Sequence, residues 1–307
     1  MPSVTKLCRC IDGSFPDGEV YAQLPERADG VHVVILQSLS GAEEDCHRAL
    51  LALLAAVRAY RQYGAAEVTV FVPHLPYSRE DRPIDGEYRS TTATLVADLL
   101  RVAGADHIVT IQSGSVDLLS KAYRPLRLSQ ASAVDFFRSR VSSSGFNSPV
   151  LVAPDAGSAG LVGDVARTLG LDYVVAEKRR LGASTVTVTL EVTGDSLAGR
   201  DFFILDDLIC SAGTVTKAVE ALEALGASRI RAATAHLRLT DIGRNRVCAL
   251  LSDGRLQALD ALDTYPDPSL ALVSTTSFVE GCTEQLRRLL APPPLRVDHG
   301  SHEGVCA

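Results

Sequence analysis

Tryptophan is absent from this chain of 307 residues, and aromatic residues of all kinds make up only 5%. A core must therefore be built mostly from alanine, valine and leucine. No dense run of lysine and arginine occurs, and the formal net charge is −7. That argues against nucleic acid as a main partner, because duplex binding needs a basic footprint. No CxxC pair occurs among the seven cysteines, Cys8, Cys10, Cys46, Cys210, Cys248, Cys282 and Cys306. Their odd number and irregular spacing argue against a disulfide scaffold or a zinc site, and fit reduced thiols in a cytoplasmic protein. Long hydrophobic runs are missing too. The longest, Ala49 to Val57, is far too short to cross a bilayer, and the opening MPSVTKLCRC has no apolar signal core. The expectation is a cytoplasmic protein with no membrane contact.

What is present is a chain 46% hydrophobic and long enough for about two domains. Short β-type runs alternate with helical patterns. Val31–Gln37, Glu67–Pro73, His107–Gln112, Val150–Ala153, Tyr173–Ala176 and Asp201–Leu205 read as strands. Glu43–Tyr63, Ser90–Val102, Ser158–Leu169 and Val215–Leu225 read as helices. Such alternation predicts an α/β fold of parallel sheets flanked by helices. The phrases YGAAEVTVF, AGADHIVTI and LGASRIRAA each set a glycine where a helix ends and a strand follows. Two similar halves are expected, at 1–145 and 146–290, divided near the polar Ser142–Ser148. The tail, 291–307, is proline-rich and then polar, and is expected to be mobile.

One stretch carries chemistry. In FFILDDLICSAGTVTKAVEAL, Phe202–Leu222, an apolar strand runs into Asp206 and Asp207, then into small residues that open a helix. In parallel sheets, ligands bind beyond the carboxyl ends of strands. Two carboxylates there accept hydrogen bonds from a vicinal diol. The backbone N–H groups of Cys210, Ser211, Ala212, Gly213 and Thr214, with the hydroxyls of Ser211 and Thr214, form an anion cradle. A diol reader beside a phosphate cradle fits a sugar phosphate. An acidic turn before an N-capped helix is the plainer account of the same residues.

The stretch resembles the ribose-phosphate motif of the phosphoribosyltransferase fold. Over roughly residues 11–240 the chain is more specifically similar to ribose-phosphate diphosphokinases, the phosphoribosyl pyrophosphate (PRPP) synthetases. FPDGEVYAQL resembles that family's FSDGE segment, VPHLPYSREDRP its PYxxYxRQDR and LVAPDAGSAG its VxPDxGG. AEKRR resembles its DKRR, and ILDDLICSAGT its VDDxxDTAGT. RSTTATLVADLLRVAGADHIVTI matches a helix and the strand after it.

The resemblance implies two phosphoribosyltransferase-like domains. It also implies transfer of diphosphate from ATP to the anomeric hydroxyl of ribose 5-phosphate, giving PRPP and AMP, with Mg2+ as cofactor. Lys178 and Arg180 become catalytic cations, beside a stretch, LGAST, able to close as a lid. Arg79, Glu80 and Asp81 become ATP contacts. Phe15, Asp17 and Glu19 reach a neighbouring subunit's adenine site, so a homo-oligomer, dimer or hexamer, is implied. Asp155 stands near ribose 5-phosphate and metal, while Asp206, Asp207 and Cys210 to Thr214 bind the sugar phosphate.

The sequence departs from the family at several of these points. The family's Asp-Leu-His is Gln112-Ser113-Gly114 here, its third acid is Cys210, and its second glycine after PD is Ser158. These changes keep open a different acceptor, such as a ketohexose 6-phosphate, or a non-catalytic regulatory paralogue. A PRPP-using phosphoribosyltransferase would have no reason to keep the REDR and KRR segments. A dinucleotide fold is weakly supported, because Gly157, Gly160 and Gly163 are spaced GxxGxxG. No GxxxxGK[ST] phosphate loop occurs.

Overall fold

The computed structural model describes residues 11–39, 46–114, 116–180, 186–190, 197–265, 267 and 270–291, with backbone alone at 11, 12, 177–180 and 186–190. An antiparallel hairpin comes first, β1 (Ile11–Ser14) with β2 (Val20–Gln23). The N-terminal half then alternates β3 (His32–Leu36), α1 (Cys46–Gln62), β4 (Glu67–Phe71), α2 (Thr92–Ala103), β5 (His107–Ile111), α3 (Val116–Ala122) and β6 (Arg127–Ala131). Its strands form one parallel sheet, ordered β3-β4-β5-β6.

Helix α4 (Val134–Ser142) leads to β7 (Val150–Ala153), α5 (Ala159–Leu169), β8 (Tyr173–Arg180) and β9 (Val186–Leu190). After them come β10 (Asp201–Ile209), α6 (Gly213–Ala224), β11 (Arg229–Leu237) and α7 (Asp241–Ser252). The half closes with β12 (Leu259–Leu262), β13 (Ser274–Thr276) and α8 (Phe278–Leu289). The second sheet is ordered β13-β12-β11-β10-β7-β8-β9 and is parallel except for β9, which runs antiparallel to β8.

The local causes are visible in the sequence. Helix α2 buries Ala93, Val96, Ala97, Leu100 and Ala103, one stripe at helical spacing. All of β7 is buried, as are Phe202 to Leu205 of β10, so strands covered on both faces read as continuous apolar runs. The recurring glycines are left-handed caps: Gly64, Gly104 and Gly226 have φ of 98°, 114° and 78°.

Two strands run further than their sequence pattern suggests. β8 continues through the KRR segment to Arg180, and β10 continues through both acids to Ile209. Polar residues are held in a strand there because a neighbour supplies the ladder: β9 pairs Lys178 with Val188, and β11 pairs Leu208 with His236.

One apolar cluster belongs to both halves. Phe71, Val109, Ile111 and Ala131 of the first sheet pack in it with Phe136 and Phe137 of α4. Leu151, Phe203 and Leu205 of the second sheet and Leu286 of α8 complete it. The ends of β4, β5 and β10 therefore converge, and the crevice lies above them. Among the described residues no helix is long and apolar enough to cross a membrane.

Candidate active site

Strand β10 positions the acids by losing a neighbour. Its pairing with β7 stops at Ile204 with Val152, while β11 stays alongside to Ile209. Among the described residues, no strand lies beside one edge of β10 beyond Leu205, and Asp206 and Asp207 lie on that stretch. Both line a cavity of about 380 Å³, and Asp207 also lines a neighbouring one of about 520 Å³. Successive strand residues face opposite sides; the open edge lets both reach the same crevice. The Asp207 N–H donates to Asp206 Oδ1 at 3.0 Å. Asp207 Oδ2 accepts from the Gly114 N–H of the other half at 3.2 Å.

Burial holds the Asp206 carboxyl well above the usual range, with repulsion from Asp207 and Asp155 adding to it. Burial raises Asp207 too, and Asp155 adds to the rise.

The loop after β10 turns sharply at Ala212, whose φ of 53° and ψ of 13° are left-handed. A non-glycine residue there is strained, as is common at ligand sites. The first intrahelical bond of α6 runs from Thr216 N to the Ala212 carbonyl at 2.9 Å. The N–H groups of Gly213, Thr214 and Val215 thus have no helical acceptor and stand at the positive end of the helix. All three residues line the cavity, with Cys210, Ser211 and Ala212.

α7 braces this loop. Arg246 Nη1 donates to the Ser211 carbonyl at 2.9 Å, and Thr240 N donates to the Cys210 carbonyl at 3.2 Å. From the other half, Arg79 Nη2 donates to Cys210 Sγ at 2.9 Å. Glu80 is drawn toward Arg89 Nη1 at 3.4 Å, which offsets its extra negative charge. Asp81 follows in the same loop. Asp155 caps its own turn by accepting from the Gly157 N–H at 2.9 Å, and it faces the same cavity.

Other sequence-predicted residues are not gathered there. Phe15, Asp17 and Glu19 sit on the turn between β1 and β2, where Phe15 stacks on Tyr21 at 5.1 Å and is 53% exposed. They line none of the cavities around Arg79. The backbone of Lys178 and Arg180 lies within β8, not after it. Their side chains, the LGAST segment at 181–185 and the tail from 292 lie outside the described residues.

The sequence reading missed His74, His236, Tyr265 and Arg238. His236 is the penultimate residue of β11, beside the strand that carries the acids, and lines the cavity. Its Nε2–H donates to the Ile111 carbonyl at 2.8 Å, and its Nδ1 lies 2.8 Å from Thr264 Oγ1. Burial lowers it to about 4. The rule applied to the end of β10, that ligands gather beyond strand ends, also pointed to the ends of β4 and β11.

Comparison with known proteins decides the family. Residues 3–104 match the N-terminal domain of ribose phosphate pyrophosphokinase, and residues 129–252 match the phosphoribosyl transferase domain. A ribose-phosphate pyrophosphokinase of Methanosarcina acetivorans is 33% identical over 290 residues, 93% of this chain and 93% of that one. One from Campylobacter jejuni is 31% identical over 276 residues, 90% of this chain and 85% of its own length. The chain belongs to the ribose-phosphate pyrophosphokinase family.

The fold agrees. The phosphoribosylpyrophosphate synthetase of Mycobacterium smegmatis superposes with a TM-score of 0.79 at 23% identity, over 92% of this chain and 91% of that one. The expected α/β architecture with a phosphoribosyltransferase domain is therefore present. Within this pyrophosphokinase frame, the departures have structural correlates. Gly114 has φ of 69°, which a histidine would adopt only with strain. Gln112 Oε1 accepts from the Ala133 N–H at 3.1 Å, so this amide oxygen caps α4.

Proposed function

We propose that this chain transfers diphosphate from ATP to the anomeric hydroxyl of a sugar phosphate, ribose 5-phosphate first, giving PRPP and AMP. One observation carries the reading: paired carboxylates and a free helix N-terminus line one cavity, which Arg79 reaches from the other half. The relatives' name, ribose-phosphate pyrophosphokinase, supports the reaction class. In this reading Asp206 and Asp207 accept the sugar's vicinal hydroxyls, and the N–H groups of Ser211 to Thr214 hold its phosphate. Arg79, with Glu80 and Asp81, faces the nucleotide. Lys178 and Arg180 neutralise charge on the transferring group, so catalysis rests on positioning and fixed charge.

Magnesium fits this pocket as a substrate-borne ion. Among the described residues no group of three or more His, Cys, Asp or Glu is arranged to hold a metal by itself. Yet Asp155, Asp206 and Asp207 lie close enough to repel one another. Magnesium is commonly held by one or two carboxylates plus substrate phosphates, and Asp155 is the residue to hold it. When bound, it would neutralise charge on the phosphate oxygens.

A homo-oligomer is part of the proposal. Edge strand β3 exposes Val34 and Leu36, and α2 exposes Leu95, Leu99 and Val102, apolar surface suited to a second copy. A cytoplasmic setting fits the free thiols of Cys46, Cys210, Cys248 and Cys282.

A second reading of the acceptor rests on Cys210. A thiol, not a carboxylate, meets Arg79 here, which leaves room for a different carbon skeleton such as a ketohexose 6-phosphate. The test is AMP release from ATP and magnesium with a panel of sugar phosphates. Ribose 5-phosphate should give the highest kcat/KM, and Lys178→Ala or Arg180→Ala should lower kcat roughly 100- to 1000-fold. A higher value for a ketose phosphate favours the second reading. No AMP with any acceptor makes the chain a non-catalytic paralogue.

A further inference from the structure

His74 follows β4 in the segment Pro73-His74-Leu75 and is 6% exposed. Its Nδ1 meets the Tyr265 hydroxyl, which comes from the other half. No hydrogen-bond partner lies on its Nε2 among the described residues, although His74 lines both the cavity of the acids and the cavity of about 530 Å³ that holds Glu80 and Arg238. The neighbouring His236 makes the contrast. Its ring centroid is 4.6 Å away, and both of its nitrogens face protein partners. On a residue this buried, an imidazole nitrogen without a protein partner and open to a cavity is a natural place for a ligand or water.

The chemistry around His74 selects the ligand. Burial keeps the ring neutral, and nearby His236, Arg238 and Arg79 disfavour a second proton. The Tyr265 phenol, itself raised by burial, keeps its proton and is able to donate it to Nδ1. With Tyr265 as donor, the ring's one proton sits on Nε2, the nitrogen with no protein partner among the described residues and so open to the cavities His74 lines. Gly114, which has no side chain, leaves that part of the wall bare.

We propose that His74 is a substrate-contacting residue, whose Nε2–H donates to a phosphate oxygen of the ligand where the two cavities meet. The proposal deepens the diphosphotransferase reading and rests on it for the identity of the ligand. Tyr265 is a positioning residue that fixes the ring's tautomer.

Two variants of the full chain separate contact from structure. His74→Gln carries an amide donor out to the Nε2 position. His74→Asn reaches only as far as Nδ1. We expect His74→Gln to stay within about fivefold of the natural chain, and His74→Asn to lose roughly 10- to 100-fold in kcat/KM, the range for a lost hydrogen bond to a charged group. Calorimetric titration with inorganic diphosphate should show the same order of affinities, with melting temperatures alike. Equal losses in both variants, or none in the Asn variant, overturn the proposal. If His74→Asn does not fold, Tyr265→Phe replaces it: unchanged diphosphate affinity and kinetics there overturn the proposal, and a several-fold loss at constant melting temperature supports it. If the natural chain makes no AMP, the reaction has been misread, and the diphosphate titration alone still decides for or against His74.

Discussion

At the scale of single residues, the site is organised around buried carboxyls that repel one another. The Asp206 carboxyl is raised in the folded chain by burial and by its acidic neighbours. The sign follows from linkage. A raised carboxyl stabilises the fold only while protonated, below the unfolded value of about 3.9, and loses that contribution as pH rises through the folded value. At pH 8 the raised Asp206 carboxyl therefore works against the fold. Asp206→Asn should melt higher than the natural chain at pH 8, by about 2–4 °C for each kcal/mol relieved. The gain should fade toward pH 4. Thermal melting across that range checks this, and a lower melting temperature at pH 8 would mean that the charge is compensated in the free protein.

At the scale of elements, α7 and the loop after β10 behave as one piece. Gly243, in the first turn of α7, donates its N–H to Thr240 Oγ1 at 3.1 Å. A Cβ there would lie 2.0 Å from the Cys210 carbonyl oxygen, a backbone atom. Gly243→Ala must displace the loop, and we expect a loss of about 1–3 kcal/mol with weaker diphosphate binding. Gly160→Ala in α5, where a Cβ meets nothing within 4 Å, is the control and should be neutral or stabilising. Chemical denaturation of both variants measures the difference.

Much of the architecture was legible at this scale. Apolar periodicity located β4, β7, α2 and α5 to within a residue or two, and the glycine caps marked where helices end. The pair at Asp206 and Asp207 was legible because acids rarely follow four buried apolar residues without a reason. What stayed hidden was set from outside the local sequence. Ser129 and Gln130 of β6 are half-buried polar residues held by pairing with β5, so no alternation announced a strand. His74 and His236 meet only because the ends of β4 and β11 converge, although 162 positions part them in sequence.

At the scale of the molecule, the two halves are not separable bodies. Their shared cluster joins Phe71, Val109 and Ile111 of one sheet to Phe203 and Leu205 of the other. The full chain should therefore unfold in a single calorimetric transition. A fragment spanning 146–291 should show no cooperative melt, because it loses α4 and the first sheet's contribution to that core. Two resolved transitions in the full chain would mean that the halves are stable alone. The same cluster constrains heredity. Phe71 meets Phe278 edge-on at 5.9 Å, so a change in one half alters what the other half tolerates. Drift on the two sides is tied together, and genetic exchange between diverged copies at the seam separates partners that have already adjusted to each other. Such a gene passes on its two halves as one unit of selection.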